Sequence, residues 1–579
     1  MTGETVQLAP VDRHFADFIH RIDRHACDEI WLAAALASHA VGRGHICLDM
    51  EAAAGSVVAS GTGGPVLKVP PAGLWRNLLQ ACDTIGRPGD YTPLVLDDAG
   101  RLYLHRTWSY ECRVAEGLLR RTATVAGDPA QLEAGLERYF PTTRGEDAPD
   151  LQREAARAAL TRRLAVVSGG PGTGKTATVA RILALLVELS ATPPRMLLAT
   201  PTGKAAMRLR HSILRAADGL QLSDRQRSTL PAEVRTIHRL LGMNPDTGRC
   251  RYNRDNPLEC DLLVVDEASM IDLPLMARLL EALPDDARLI LLGDRDQLAS
   301  VEAGAVLADI CAGPEGGDAR PADIAVVHLT RSYRFAAASG IGQLSRLINE
   351  GDGDSALELL VSGRCTELSW RPLPGPAGLA GALGEAVSSG YGDYVASSTP
   401  ARALEQFECF RILSPLRQGP WGVENLNRIS AAALGLNPGG QNREYRLQPL
   451  VISGNNYELG LFNGDTGVLL DEPAGGRLSA WFSDGEGGVR RMSPLRLPPS
   501  EPAFALTIHK SQGSEFERVL LILPDQAPEL LTRELVYTAI TRARSRVEIW
   551  SGEEVFRTAV SRRITRSSGL AARLWGRGE

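Results

Sequence analysis

The stretch from Val166 to Thr176, Val-Val-Ser-Gly-Gly-Pro-Gly-Thr-Gly-Lys-Thr, constrains the fold more than any other part of this 579-residue chain. Gly169, four residues, then Gly174-Lys175-Thr176 is the spacing of a phosphate-cradling loop. The apolar run Leu164–Val167 ahead of it reads as a strand, and Ala177–Leu189 behind it reads as a helix, which is the context such a loop requires. Its glycines let successive backbone N–H groups converge on an anion, and the helix N-terminus adds partial positive charge. Gly169, Gly170, Pro171, Gly172, Thr173 and Gly174 would shape the cradle, Lys175 would reach the β- and γ-phosphates, and Thr176 would hold Mg²⁺. ATP or GTP is the expected ligand.

Further along, apolar runs end repeatedly in polar signatures. Met196–Ala199 runs into Thr200-Pro201-Thr-Gly-Lys204, Leu262–Val265 into Asp266-Glu267, and Leu289–Leu292 into Gly293-Asp-Arg-Asp-Gln297. Helical stretches such as Leu273–Leu283 intervene, so a parallel sheet with crossover helices is expected, its ligands beyond the carboxyl ends of the strands. There Asp266 would complete the Mg²⁺ shell and Glu267 would act as general base toward the attacking water. Gln297 is placed to sense the γ-phosphate. Arg334 and Arg542 could supply the positive charge that phosphoryl transfer needs. Gln152, upstream of the loop, has a side chain that can donate to and accept from the adenine edge and so favours ATP, although such a residue alone is more often a surface helix position.

Composition matters at three points. Lysine occurs only at Lys68, Lys175, Lys204 and Lys510, with arginine carrying the other strong positive charge. Three of these four lie in phosphate-type signatures, where a compact ammonium does a different job from a planar guanidinium. A net charge of −6 weakens a nucleic-acid reading without excluding it, since a translocase needs only a basic channel. The nine cysteines show no Cys-x-x-Cys pair, so reduced thiols are expected rather than metal clusters or disulfides. The N-terminus lacks a cationic segment followed by an apolar core, and a cytoplasmic location is expected.

The second half repeats the strand-then-signature pattern without a phosphate loop, at Phe410–Pro415, Arg518–Pro524 and Arg546–Trp550. It reads as a second α/β lobe (349–440 and 500–579) facing the first (146–348, with a small insertion around 208–258). Residues 441–499, rich in Gly, Asn and short alternations, read as a small inserted β-barrel. Ala505–Glu515 joins strand to helix with polar residues suited to phosphates of a nucleotide or of a nucleic-acid backbone. Residues 1–145 carry no catalytic pattern and read as an interaction domain. In it Asp28–Val41 reads as a helix, Leu102–Trp108 as a strand or strand-turn, and Pro141–Asp150 as the linker.

The ordered set Gln152, Gly169–Thr176, Thr200–Ala206, Asp266-Glu267-Ala-Ser, Gly293–Leu298, Tyr333-Arg334, Thr507–Glu515 and Tyr537–Arg544 resembles the motif series of superfamily 1 helicases. Within that superfamily the phrases Ala199-Thr-Pro-Thr-Gly-Lys-Ala-Ala, Thr236-Ile-His-Arg-Leu-Leu-Gly, Ser414–Asn427 and Leu461-Phe-Asn-Gly-Asp-Thr-Gly are similar to those of the RecD subunits of RecBCD (exodeoxyribonuclease V) complexes. The resemblance implies two RecA-like P-loop lobes, an SH3-like barrel in the second, and a mainly helical N-terminal domain. It implies ATP-driven 5′→3′ translocation on single-stranded DNA, with Arg334 and Arg542 as arginine fingers and Gly513 and Glu515 at the nucleotide. RecB-like and RecC-like partners and work at duplex ends in recombinational repair are likewise implied. Thr200, Pro201, Lys204, His238, Thr507, His509 and Lys510 become DNA-path candidates. Trp421 could stack on a base or simply pack. Metal nucleases of the related type need a carboxylate two residues before a lysine. Val66, Thr173, Thr202 and Ile508 stand at that spacing, so no nuclease site is expected. The alternative to a motor is an ATP-gated binding or assembly subunit without net unwinding.

Overall fold

The computed structural model describes residues 5–25, 27–59, 66–141, 150–313, 324–334, 339–436, 447–456, 458–471, 478–484, 488–526 and 528–576. The expected linker, apart from Pro141 and Asp150, lies outside the described residues.

Six strands build the first lobe: β1 (Leu164–Gly169), β2 (Met196–Thr200), β3 (Val234–Thr236), β4 (Leu262–Val265), β5 (Arg288–Gly293) and β6 (Ala325–Leu329). All run parallel, in the order β3-β2-β4-β5-β1-β6. Helices cover both faces, which is why Leu262, Leu263, Val264 and Val265 are all fully buried and the strand shows no alternation. The register is what makes a site. Val265 pairs with Leu291, and Leu291 pairs with Val166. The phosphate loop, Asp266 and Asp294 therefore leave three neighbouring strands at nearly one level.

The second lobe has strands β7 (Leu368–Arg371), β8 (Phe410–Ser414), β9 (Ala505–Thr507), β10 (Phe516–Leu523) and β11 (Ala543–Ser551). These are also parallel, in the order β7-β11-β10-β8-β9. Inside this core Arg411, fully buried, lies with its guanidinium 3.7 Å from the Phe407 ring centroid and 4.7 Å from that of Phe516. It also donates to the carbonyls of Ala503 and Phe407. A buried cation survives here because aromatic faces and backbone carbonyls replace its water.

Between β8 and β9 the chain forms five antiparallel strands in the order Val489–Met492, Leu478–Ser483, Thr466–Asp471, Gln448–Ile452, Ser500–Pro502. Leu450, Ile452, Leu461 and Phe482 give it a small core of its own. The sequence predicts a small SH3-like barrel here. Among the described residues the pairing runs from one edge strand to the other without closing a ring.

The N-terminal region is mainly helical, with Pro10–Ile22, Asp28–Gly42, Ala72–Leu79, His105–Leu119 and Pro129–Tyr139 as its longer helices, beside two small sheets. The strand expected over Leu102–Trp108 stops at Leu104, and a helix begins at His105. Trp108, Val114, Ala115 and Leu118 recur at helical spacing and pack on the first lobe's helix Leu273–Ala282. The chain's last described helix, Leu570–Trp575, returns to this seam and buries Leu570, Leu574 and Trp575 in it. Glu111, fully buried, accepts there from Gly569 N at 2.9 Å, Arg573 Nε at 2.9 Å and Tyr103 Oη at 3.2 Å. No helix among the described residues is long and apolar enough to cross a membrane.

Candidate nucleotide site and DNA path

Gly174 precedes the helix Lys175–Leu189 at φ +83°, and Gly172 sits at φ +79°. Both are in the left-handed region that a side chain disfavours. A Cβ at Gly172 would also fall 2.2 Å from the Arg334 Cβ, so this glycine lets the Tyr333-Arg334 segment lie on the loop. The Tyr333 N–H donates to the Gly172 carbonyl at 2.7 Å. Lys175 Nζ folds back on the loop, donating to the carbonyls of Gly169 and of Gly170, the latter at 3.1 Å. Gln152 Nε2 donates to the Thr173 carbonyl at 3.2 Å and so rests against the loop, half-buried.

A cleft of about 370 Å³ opens in front of the loop. Pro171, Gly172, Thr173, Gly174, Lys175, Thr176, Asp266, Glu267 and Gln297 line it from the first lobe, Arg334 from the connection, and Gly513, Glu515 and Arg542 from the second lobe. Gly169 and Gly170 face a neighbouring cavity on the other side of Pro171. Asp266 accepts from the Glu267 N–H at 2.8 Å. Burial and the Glu267 charge push its carboxyl up to about 6, against the pull of Lys175. Glu267 has φ +55°, a conformation rare outside glycine and asparagine.

Gln297 does not point an unoccupied amide at the cleft. Its Nε2 donates to Asp294 Oδ2 at 2.9 Å, and the same oxygen accepts from Tyr537 Oη of the second lobe at 3.0 Å. The Leu298 N–H donates to Thr538 Oγ1 at 2.9 Å, and Gln512 Nε2 donates to the Leu298 carbonyl at 3.0 Å. The segment after β5 is thus clasped by the second lobe. Asp294 and Tyr537 were not singled out from the sequence, although both stood inside quoted signatures.

Arg542 is buried, its Nε donating to the Thr538 carbonyl at 3.0 Å and Nη1 to the Ser514 carbonyl at 3.3 Å. Burial lowers its pKa, and the Glu267 and Glu515 charges oppose that. Arg334 Nη2 donates to Glu515 Oε1 at 2.7 Å. Burial disfavours the Glu515 carboxylate, yet Arg208 and Arg334 overcome this and hold it at about 2, below the usual 4.5. A carboxylate depressed on folding stabilises fully above its unfolded value and loses that contribution as pH falls through its folded one. The contribution is worth about 3 kcal/mol. Between about pH 4.5 and 2 the wild type should therefore lose stability more steeply than Glu515→Gln, with parallel curves above pH 5, as read by thermal unfolding at each pH.

The DNA-path candidates fall at the carboxyl ends of strands in both lobes. Lys204 lies in the helix Gly203–Asp218, its Nζ 3.7 Å from Glu408 Oε2 of the second lobe. His238 and His509 are exposed, and Pro201 is half-buried. Thr507 Oγ1 accepts from the Lys510 N–H at 3.4 Å, and Lys510 Nζ donates to Glu501 at 2.7 Å. Two expectations need correction. Thr200 is fully buried, with its hydroxyl donating to the Thr202 carbonyl at 2.8 Å, so it shapes the turn and presents no group to a strand of DNA. Trp421 is buried, its indole N–H donating to the Pro374 carbonyl at 3.1 Å, which makes it a packing residue.

Comparison with known proteins now joins this geometry. The chain matches the family described as RecBCD enzyme subunit RecD, N-terminal domain, over residues 4–103. It matches an AAA domain over 152–303 and a UvrD-like helicase C-terminal domain over 502–549. It is 39% identical to the RecBCD enzyme subunit RecD of Mycolicibacterium smegmatis, over 98% of this chain and 97% of that one. The chain belongs to the RecD family. It is also 31% identical to the ATP-dependent RecD2 DNA helicase of Deinococcus radiodurans, over 84% of this chain and 61% of that one. A crystal structure of Pif1 helicase from Candida albicans is similar with a TM-score of 0.42 and 15% identity, over 72% of this chain and 97% of that chain. The AAA match covers the phosphate loop, Asp266, Glu267 and Gln297, and the UvrD-like match covers Gly513, Glu515 and Arg542, so each wall of the cleft lies within a matched domain.

Proposed function

We propose that this RecD-family chain is the ATP-dependent helicase subunit of a RecBCD-type complex, translocating 5′→3′ on single-stranded DNA and lacking a nuclease site of its own. The observation that carries this reading is the cleft itself, in which a phosphate loop and three carboxylates of one lobe, Asp266, Glu267 and Asp294, face Arg542, Gly513 and Glu515 of the other. A nucleotide gripped from both sides draws the lobes together, and its release lets them part.

The residues have separable jobs. The loop amides and Lys175 bind the phosphates, giving up the bonds that Lys175 now makes to Gly169 and Gly170. Glu267 accepts a proton from the attacking water, and Arg334 and Arg542 offset the charge that develops on the transferring group. The Thr176 hydroxyl and Asp266 carboxylate supply only oxygen donors, the set that suits Mg²⁺. Among the described residues no cluster of three or more His, Cys, Asp or Glu could hold a metal alone, so these two would hold Mg²⁺ together with the nucleotide's own phosphates. When bound, that ion neutralises phosphate charge.

Movement reaches DNA through the helix Gly203–Asp218, which carries Lys204 toward the candidate path and Arg208 toward the cleft. Backbone contacts by Lys204, His238, His509 and Lys510 would read little sequence. Purified protein should show ATPase activity that single-stranded DNA stimulates and should displace strands from 5′-overhang substrates better than from 3′-overhang ones. ATP binding that switches DNA affinity without displacement would favour a gated binding subunit instead.

The N-terminal domain is assigned to docking on RecB-like or RecC-like partners. Val11, Phe18 and Ile22 share one face of the helix Pro10–Ile22 and are 67%, 46% and 45% exposed. The combined change Val11→Asp, Phe18→Asp and Ile22→Asp should reduce co-purification with partner subunits at least tenfold while leaving the ATPase of the isolated chain intact. Undiminished co-purification would move the interface elsewhere.

A further inference from the structure

Arg208 belongs to no motif used above, yet it lines the nucleotide cleft with Lys175, Asp266 and Glu267. It lies one helical turn after Lys204, and both side chains reach acids of the second lobe, Lys204 to Glu408 and Arg208 to Glu515. Arg208 Nη1 donates to the Gly513 carbonyl at 2.6 Å, and Nη2 sits 2.5 Å from Glu515 Oε1. The same oxygen takes Arg334 at 2.7 Å, while Oε2 takes Arg544 Nε at 3.2 Å. One carboxylate, only 11% exposed, thus anchors three guanidinium groups.

We propose that Arg208 is a third phosphate-contacting arginine of this cleft, and that Glu515 is the counter-ion it shares with Arg334 until a nucleoside triphosphate takes that carboxylate's place. The proposal rests on the reading of the cleft as an ATPase site.

Charge balance supports the exchange. The cleft lining holds four cations, Lys175, Arg208, Arg334 and Arg542, and four carboxylates, Asp266, Glu267, Asp294 and Glu515. A nucleoside triphosphate brings net negative charge into this formally neutral set even with one Mg²⁺, so its binding is favoured by displacing a carboxylate. Asp266 and Asp294 are fixed at the ends of β4 and β5, and Asp294 is held further by Gln297 and Tyr537. Glu515 is held by its ion pairs with Arg208, Arg334 and the half-exposed Arg544, so its side chain can swing toward Arg544 as the phosphates arrive while the lobes close. A guanidinium fork that fits a carboxylate also fits a phosphate, so the arginines can change partner without changing geometry. No bond is made or broken beyond these ion pairs. The device would hold Arg334 on Glu515 until triphosphate binds and free it then.

The test is equilibrium binding of fluorescent ADP and of a non-hydrolysable fluorescent ATP analogue to the full-length protein without DNA, together with basal ATPase. Arg208→Ala should weaken the triphosphate analogue at least tenfold and ADP less than threefold, and Arg208→Lys should recover part of the difference because it restores charge without the fork. Glu515→Gln should tighten the triphosphate analogue about tenfold and raise the DNA-independent rate, because the arginines lose their competing anion. Equal losses for both nucleotides in Arg208→Ala, or unchanged or weakened triphosphate binding in Glu515→Gln, would overturn the proposal. Absence of any nucleotide binding or hydrolysis in the wild type would overturn the ATPase reading instead, which keeps the two failures apart. Matching thermal unfolding midpoints for Arg208→Lys and wild type guard against misfolding.

Discussion

Lys175→Ala and Glu267→Gln should each lower the DNA-stimulated ATPase rate by about 10³-fold, and they should do so for different reasons that binding measurements separate. Lys175 sits at the first turn of the helix behind the loop, with its ammonium against two loop carbonyls. Removing it deletes the compact charge that would follow the phosphates, so nucleotide affinity falls along with the rate. Glu267 is held in a left-handed conformation at the end of β4, beside Asp266. Exchange for glutamine keeps size and hydrogen-bonding reach but removes the proton acceptor. Nucleotide affinity should survive, and the nucleotide-bound form should accumulate on DNA. A Glu267→Gln protein that still hydrolyses ATP at the wild-type rate would sink the assignment of the base.

A chain that stops after Thr565 should lose far more stability than the share of residues removed. The missing segment buries Leu570, Leu574 and Trp575 at 0%, 2% and 8% exposure. It also takes Arg573 away from the fully buried Glu111 and removes Arg566, whose guanidinium donates to the carbonyls of Ser300, Glu302 and Gly304. Deleting large core side chains costs about 2–5 kcal/mol each, and stranding a buried charge costs about 3–5 kcal/mol. The unit formed by the first lobe and the N-terminal domain should therefore unfold at least about 10 °C earlier in calorimetry. The single change Arg573→Ala, which strands Glu111 but spares the apolar seam, should reproduce part of the shift. An unchanged first transition in the truncated protein would show that this seam is not what holds the two parts together.

The first lobe was legible because buried parallel strands announce themselves as unbroken apolar runs, and because the phosphate loop fixes which end of the sheet carries the cleft. Helix starts shifted by a residue or two where caps decide them, as at Gly174, whose backbone turn brings Lys175 into the helix. Leu102–Trp108 misled because two elements abut there with no turn residue to separate them. Within the site, Gly172–Thr176, Asp266, Glu267 and Gln297, read from contiguous motifs, line one cleft. Arg208 was not, because its meaning comes from Glu515, some three hundred residues later in the chain and across the cleft. Thr200 and Trp421 were misplaced for the converse reason: a motif position gives proximity to a path, whereas burial and a local hydrogen bond decide whether the side chain can reach it.

The return of the last segment to the N-terminal domain also has a bearing on biosynthesis. The Ser567 N–H donates to His45 Nδ1 across a separation of 522 residues. At about 5–20 residues per second, a ribosome needs on the order of half a minute to two minutes to connect those two partners. Throughout that interval Glu111 waits without Arg573, and the groove for Leu570, Leu574 and Trp575 stays uncovered. Until that segment is made, the nascent first lobe presents to chaperones and proteases an apolar groove that the folded chain covers.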